Sequence, residues 1–217
     1  MTIYAIGAEA LTWDLCAVNQ EASIGSDSLY GGKGPALFID ASVALLAGSA
    51  LTEAWIRFNI ASASGGTPAS LPIFAFFNST TDKDAVRILW TGDNEFTVTY
   101  NSSGTTYTTL GTFFSSFSGG YEGYGIAWDV YFKRGSSGVL KVFANNTKVF
   151  EYTGALNTPD STFDGARFSG NDTVRTFNFG GVIFSDEPMF NSKLARLVPT
   201  GAGNENGWSL NTFSNID

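Results

Sequence analysis

The chain has 217 residues, which lies within the range of one large all-β domain, since such domains run to roughly 200–250 residues without dividing. Charged residues make up 15% of the sequence, below the average of about 25%, and glycine, serine, threonine and asparagine are abundant, which favours strands and turns over long helices. The net charge of −8 gives no basic patch to displace phosphate counterions, so we expect neither a nucleic-acid partner nor binding to an anionic membrane.

Cys16 is the single cysteine, so no disulfide can form within the chain, and we expect it to be a small buried thiol. The first residues lack the cationic start of a signal peptide and include the acidic Glu9 and Asp14. No apolar run approaches the roughly 20 residues that cross a bilayer. These features predict synthesis in a cytoplasm and no membrane insertion.

Alternating or dense apolar runs predict strands along the whole chain. In chain order, outside the central hairpin, they cover residues 3–8, 11–17, 38–47, 53–60, 72–77, 86–90, 96–100, 105–110, 163–169, 173–179 and 182–186. The run 38–47 could include one short helical turn. The aromatic and glycine-rich stretch 111–124 is predicted to be a long connection, and Gly180-Gly181 is predicted to separate the last two strands.

The stretch 126–152 carries the clearest pattern, because Trp128 and its apolar neighbours two residues away alternate with more polar residues. Residues 135–138 are predicted to turn the chain into a second strand at 139–144. Asn145-Asn146 then links to a third strand, since asparagine tolerates the positive φ of tight hairpin turns. Three adjacent antiparallel strands are therefore expected.

The sequence contains about a dozen predicted strands, no helix of ordinary length and no linker that marks a domain boundary, so residues 1–217 are expected to form a single domain. One open sheet could not bury the apolar faces of so many strands, whereas two sheets packed roughly 10 Å apart would bury them. The predicted fold is an all-β, two-sheet antiparallel β-sandwich of the jelly-roll kind.

Histidine is absent, which removes the usual general base and the common serine triad, and leaves Cys16 without an activating partner. Carboxylate pairs remain as candidate catalytic groups. Asp82 with Asp84 and Asp93 with Glu95 have a suitable spacing, but both pairs fall in predicted turns, where solvated charge is the ordinary explanation. We therefore expect no enzymatic activity.

Calcium would need several oxygen ligands on one loop. Asn157, Asp160 and Asp164 form one candidate group, and Asn171 with Asp172 forms another, but neither matches a calcium-loop motif. These residues are predicted to make loop turns, and no metal or cofactor is expected.

Aromatic side chains are the remaining binding candidates, because sugars stack on exposed rings. Tyr121 and Tyr124 lie in the glycine-rich connection, and Trp90 ends its strand beside a turn. The alternative for all three is packing in the core or in a subunit interface. Trp128 is predicted to be a core residue because of its alternation.

The central hairpin and the C-terminal stretch resemble known families. The segments 128–132 and 138–150 are similar to the late strands of concanavalin A-like and laminin G-like sandwiches. The segments 182–186 and 194–204, followed by Trp208-Ser209, resemble the ending of tailed-bacteriophage virion proteins with this fold: a strand with a terminal aspartate, an Arg-hydrophobic-hydrophobic-Pro segment, a glycine-rich turn and a Trp-Ser pair.

The resemblance also has an upstream match and one departure. The segment 53–58 is a further, weaker match. Gly180-Gly181 stands where many relatives carry an Asp-Asp pair, so the resemblance implies no polar or metal role there. The chain also lacks the calcium and manganese loop of legume lectins, and a lectin-like fold does not by itself imply lectin activity.

The phage resemblance implies a non-enzymatic structural component of a virion, either a capsid decoration or spike module or a tail-associated module, made in the host cytoplasm. It further implies a homo-oligomer that contacts other capsid or tail proteins, with docking arms at residues 1–8 and 210–217. The alternative is a carbohydrate-binding module that recognises a host surface glycan through Tyr121, Tyr124 or Trp90.

Overall fold

The computed structural model of the chain describes residues 1–7, 22–25, 36–39, 42–62, 70–92, 94–115, 126–169, 171–172 and 175–190. These ranges contain no helix that could cross a bilayer. The strands within them are β1 Ile3–Gly7, β2 Ala22–Gly25, β3 Ala36–Ile39, β4 Ser42–Leu51, β5 Glu53–Ser62, β6 Leu71–Asn78, β7 Lys83–Gly92, β8 Glu95–Asn101, β9 Tyr107–Phe114, β10 Ile126–Lys133, β11 Gly135–Ala144, β12 Thr147–Leu156, β13 Phe163–Ser169, β14 Asn171–Asp172 and β15 Arg175–Ser185.

The strands form two antiparallel sheets. The first is nine-stranded and runs β12-β11-β10-β5-β15-β3-β2, with β1 and β14 also paired to β15. The second is six-stranded and runs β4-β13-β6-β7-β8-β9. This arrangement confirms the predicted all-β, two-sheet antiparallel sandwich.

The predicted three-stranded hairpin is confirmed. Strand β10 pairs with β11 from Trp128 opposite Ala144 to Lys133 opposite Val139, and β11 pairs with β12. Asn145 and Asn146 have φ values of 48° and 64°, the conformation that the tight turn requires. Strand β11 begins earlier than predicted, because the residues of the first turn continue to pair with β12.

Three other predictions need correction. The run 38–47 holds parts of two strands, β3 and β4, and no helical turn appears in its described residues. Strand β9 extends to Phe114, four residues into the predicted connection. The two last predicted strands are one, β15, because a shift in its register with β5 between Gly180 and Ile183 absorbs the glycine pair as a bulge. The predicted strand 11–17, Cys16 and the predicted arm 210–217 lie outside the described residues, whereas residues 3–7 of the other predicted arm form β1, which pairs with β15.

The core lies between the sheets and consists largely of aromatic rings. Trp128 is 0% exposed, as its alternation predicts. Its ring centroid lies 5.8 Å from that of Phe58 in the nine-stranded sheet, and 4.8 Å and 5.4 Å from those of Phe96 and Phe113 in the six-stranded sheet. Its indole Nε1 donates a hydrogen bond to Ser115 Oγ at 3.2 Å. Trp128 therefore connects the two sheets near the start of β10, where it lies opposite Ala144.

The nine-stranded sheet carries a buried ion pair on the face directed away from this core. Arg57 of β5 lies opposite Asp129 of β10, with 2.6 Å between Nη1 and Oδ2, and the side chains are 9% and 1% exposed. The other carboxylate oxygen, Oδ1 of Asp129, accepts no hydrogen bond from any described residue. Burial raises the pKa of the Asp129 carboxyl group, and the Arg57 guanidinium acts in the opposite direction.

This shift predicts how Asp129→Asn changes the pH dependence of stability. Because the folded-state pKa lies above the unfolded value of about 3.9, the folded chain binds this proton more readily. The contribution of Asp129 to the free energy of unfolding is therefore largest at low pH and is lost as the pH rises through the folded-state pKa. Urea denaturation at a series of pH values should show the wild-type minus variant difference falling with rising pH. A difference that rises would contradict the assignment.

Candidate functional site

Of the three aromatic residues predicted to bind a sugar, one, Trp90, lies within the described residues. Trp90 is 0% exposed and belongs to the core, so its ring cannot stack on a sugar; this corrects the binding prediction for Trp90 in favour of the packing alternative. The reason is its position in β7, where Val86 and Ile88 point to the same interior face. Tyr121 and Tyr124 lie outside the described residues, and their role stays a prediction.

The carboxylates considered for catalysis and metal binding have specific partners. The side chain of Asp84 is only 7% exposed and lies on β7, so the prediction of a solvated turn charge is wrong for it. Asp160 accepts a hydrogen bond from Thr81 Oγ1 at 2.7 Å, and Asp164 accepts two from Ser79. Within the described ranges, no group of three or more acidic, cysteine or histidine residues is arranged to hold a metal.

The outward face of the six-stranded sheet holds two arginines in one cross-strand row. Arg167 of β13 lies opposite Ala75 of β6, which lies opposite Arg87 of β7, which lies opposite Thr99 of β8. The arginines face outward because their neighbours along each strand are buried in the core. They are two strands apart, about 10 Å, and the small Ala75 between them leaves room for both guanidinium groups.

Asp84 holds the two arginines together. Its Oδ2 accepts a hydrogen bond from Arg87 Nε at 2.6 Å, and its Oδ1 lies 3.5 Å from Arg167 Nη1. Arg167 also pairs with Asp82, whose side chain is 74% exposed. The backbone carbonyl of Asp84 accepts hydrogen bonds from Asn101 Nδ2 at 3.1 Å and from the Tyr107 hydroxyl at 3.4 Å. The carboxylate of Asp84 thus pairs with both cations, and its backbone carbonyl binds side chains of β8 and β9.

Each guanidinium also lies over an aromatic ring. The Arg87 Cζ is 3.6 Å from the ring centroid of Tyr107, and the Arg167 Cζ is 4.3 Å from that of Phe77. Such contacts are worth about 0.5–1 kcal/mol at exposed positions and more when desolvated. We name the set Arg87, Arg167, Asp84, Tyr107 and Phe77 the arginine site.

A glycine makes room for the ring beneath Arg167. A Cβ atom placed on Gly165 would lie 2.3 Å from Cε1 of Phe77, closer than side-chain atoms can approach. Gly165 lies opposite Phe77 across β13 and β6. The glycine therefore allows the Phe77 ring to pack closely against β13, where it contacts the guanidinium of Arg167.

Two buried polar atoms at the arginine site and beside it accept or donate no hydrogen bond within the described part of the chain. They are Asp84 Oδ1, which remains within ion-pair distance of Arg167, and Oγ1 of the neighbouring Thr99. A buried unsatisfied polar group costs about 1–3 kcal/mol, and folded proteins contain few of them. Asp84 Oδ1 is therefore held by the charge of Arg167 rather than by a hydrogen bond.

The hydroxyl of Tyr107 stays protonated at neutral pH. Burial raises its pKa, while the positive charge of Arg87 acts in the opposite direction. A phenol in this state can donate a proton but does not readily accept one.

Sequence reasoning did not identify this site, although a signal was present. Each arginine interrupts an apolar strand, in Val86-Arg87-Ile88 and in Ala166-Arg167-Phe168. That pattern shows only that the arginine faces away from the core. Their meeting depends on the order β13-β6-β7, which joins strands about 80 residues apart in the chain.

Comparisons with known proteins identify the fold. No protein-family model and no curated protein matches the chain. An endo-β-1,4-glucuronan lyase from the fungus Trichoderma reesei matches with a TM-score of 0.58 and 14% identity, over 81% of this chain and 91% of that one. A sialidase matches with a TM-score of 0.51 and 12% identity over 86% of this chain. The binding domain of botulinum neurotoxin serotype G matches with a TM-score of 0.51 and 10% identity over 78% of this chain. This chain spans only 19% and 44% of those two chains.

These likenesses place the chain among β-sandwich proteins of the jelly-roll kind, a class that includes a polysaccharide lyase and a toxin binding domain. They overturn the expectation that the chain is not an enzyme: a fold shared with a lyase removes the argument that rested on the missing histidine and the missing carboxylate pair. At 14% identity the likeness shows the fold alone. None of the comparisons supports a phage origin.

Proposed function

We propose that the protein binds an acidic polysaccharide on the outward face of the six-stranded sheet, with the arginine site holding a uronate carboxylate. The observation that carries this proposal is the pair of arginines on one face. Their side chains are 29% and 22% exposed for Arg87 and Arg167, while their shared counter-ion Asp84 is 7% exposed, so a ligand reaches the cations more easily than the anion.

Arginine suits this ligand because its planar fork of N–H donors matches a carboxylate. Arg87 bonds Asp84 through Nε, and its side chain is 29% exposed, so we assign its remaining N–H donors to the ligand. The substrate named for the glucuronan lyase, a β-1,4-linked glucuronan, is the acidic chain that we assign to this protein. Since the whole chain carries a charge of −8, long-range attraction does not contribute, and affinity must come from contact with the two guanidinium groups.

The proposal is tested with two ligands that share a linkage and differ in charge. Isothermal titration calorimetry would compare an oligoglucuronate with a β-1,4-linked glucose oligosaccharide of equal length. We expect the oligoglucuronate to bind and the neutral chain to bind at least tenfold more weakly, because one charge-assisted hydrogen bond is worth about 1.5–3 kcal/mol. Equal affinities would contradict a role for the arginines, and no binding of either ligand would contradict the proposed function.

A second candidate function is cleavage of the same polysaccharide by β-elimination, which the position of Tyr107 favours. In this reaction the uronate C5 proton passes to a solvent water molecule, a C4–C5 double bond forms, the C4–O4 bond breaks and the departing O4 takes up a proton. Neutralising the uronate carboxylate makes the C5 proton more acidic. We assign the proton donation to the hydroxyl of Tyr107, whose ring lies under the Arg87 guanidinium and whose pKa is raised by burial.

Replacing Tyr107 by phenylalanine separates binding from cleavage. The double bond of the product is conjugated with the carboxylate, so its ultraviolet absorbance follows the reaction. We expect Tyr107→Phe to lower kcat at least a hundredfold, since general acid–base groups contribute about 10²–10⁴, and to leave ligand affinity within about threefold. Unchanged kcat in the variant, or no absorbance from the wild-type protein, would remove cleavage while leaving the binding proposal intact.

A place on a tailed-phage particle, as a capsid or tail component that assembles as a homo-oligomer, is a separate proposal that rests on the sequence resemblance of residues 182–186, 194–204 and 208–209. The last two of these segments lie outside the described residues. Binding of a host surface glycan, the earlier alternative, agrees with the function proposed above. Mass spectrometry of purified particles tests the virion role, which fails if the protein is absent from them.

A further inference from the structure

Phe114 is a large apolar side chain that the fold leaves in solvent. It ends β9 and is 68% exposed, whereas the preceding Phe113 is 2% exposed and lies in the core. The alternation of a strand therefore places Phe114 on the same outward face as the arginine site. Within the described ranges, its ring packs on no other aromatic ring. Phe190, also exposed, differs because its ring contacts Trp55 and Phe143 on the nine-stranded sheet.

The register fixes the position of Phe114 relative to the arginines. Arg87 lies opposite Thr99 of β8, and Phe114 lies opposite Glu95 of the same strand. Four residues separate Thr99 from Glu95, which corresponds to about 13 Å along the strand at about 3.3 Å per residue. Phe114 is also two strands from Arg87, about 10 Å across the sheet. The two features therefore lie about 16 Å apart on the sheet, which a single sugar ring could not span.

Hydroxyl groups occupy the face between these two features. Thr97 of β8 lies opposite Thr112 of β9, between the row of Thr99 and the row of Glu95. The Oγ1 atoms of Thr91 and Thr97 are 3.0 Å apart and form a hydrogen bond. Hydroxyls act as donors and as acceptors, so this row suits the hydroxyl groups of a sugar chain.

We propose that Phe114 is the stacking platform of a distal sugar subsite, so that one polysaccharide chain runs from the arginine site across the threonines to this ring. The inference rests on the proposed function and specifies its ligand as an extended chain rather than a single uronate. The C–H groups of a sugar ring are apolar and weakly positive, and they pack on the negative face of an aromatic ring. An exposed phenylalanine at the end of a polar face provides that contact.

The test compares short and long ligands. Calorimetry would measure the affinity of the full chain for a glucuronate disaccharide and for a hexasaccharide. The expected result for Phe114→Ala is a loss of roughly threefold to tenfold in hexasaccharide affinity, with disaccharide affinity at the arginine site unchanged. Phe114→Tyr should restore the wild-type value because it keeps the ring. Phe190→Ala, on the other sheet, is the matched control and should have no effect.

The possible outcomes distinguish the distal subsite at Phe114 from polysaccharide binding at the arginine site. If Arg87→Ala weakens the hexasaccharide but Phe114→Ala does not, the distal subsite is refuted and the arginine site stands. If Phe114→Ala weakens both ligands equally, the ring does not form a separate subsite. If the wild-type protein binds neither ligand, both proposals fail.

Discussion

Arg87→Ala is expected to weaken oligoglucuronate binding roughly tenfold to a hundredfold, because it removes a charge-assisted hydrogen bond to the ligand worth about 1.5–3 kcal/mol. The loss should be similar for short and long ligands, since Arg87 contacts the uronate at the start of the proposed chain. The variant also removes the cation that lies over Tyr107. Calorimetry with the disaccharide and the hexasaccharide measures the effect.

Two controls test whether the loss of affinity comes from a general loss of positive charge or from unfolding. Lys141→Ala removes the same charge from the other sheet, where Lys141 lies 3.3 Å from Glu151, and it should leave affinity unchanged. Urea denaturation of Arg87→Ala shows whether the fold survives the loss of one partner of the buried Asp84. A folded variant with wild-type affinity would exclude Arg87 from the binding site.

The largest effect on stability is expected for Trp128→Ala. The ring is fully buried and contacts aromatic rings of both sheets, so its removal leaves a cavity at their junction. Substitutions of this kind cost about 3–5 kcal/mol, a large part of the roughly 5–15 kcal/mol that stabilise a typical domain. Chemical denaturation followed by circular dichroism should show this loss in the free energy of unfolding.

Trp128→Phe is the matched variant, because it keeps an aromatic ring and removes the hydrogen bond from Nε1 to Ser115. It should cost clearly less than alanine. A loss below about 1 kcal/mol for Trp128→Ala would be typical of a surface substitution and would contradict the central position of this ring.

The fold could be predicted from the sequence wherever a strand has one buried and one polar face. The alternation around Trp128 and the Asn145-Asn146 turn were sufficient to locate three strands, because side-chain period and turn conformation are local properties. Strand β15 was less predictable, since Gly180-Gly181 has the composition of a turn and only its pairing with β5 shows it to be a bulge.

The candidate site was not predictable in the same way. The position of Trp90 beside a turn favours an exposed ring, yet its side chain lies with Val86 and Ile88 on the interior face of β7. Arg87 and Arg167 share Asp84 because strands distant in the sequence are neighbours in the sheet. A site of this kind depends on long-range pairing, which single-sequence patterns do not contain.

The sharing of Asp84 makes Arg87 and Arg167 thermodynamically coupled. A ligand carboxylate that draws Arg87 away leaves Asp84 with Arg167 alone, so the energy of one contact depends on the state of the other. Double-mutant cycles on the two arginines should therefore give non-additive changes in affinity, in contrast to distant residues without shared partners. The two cations then respond to a ligand as one unit, and binding at one guanidinium changes how strongly the other is held.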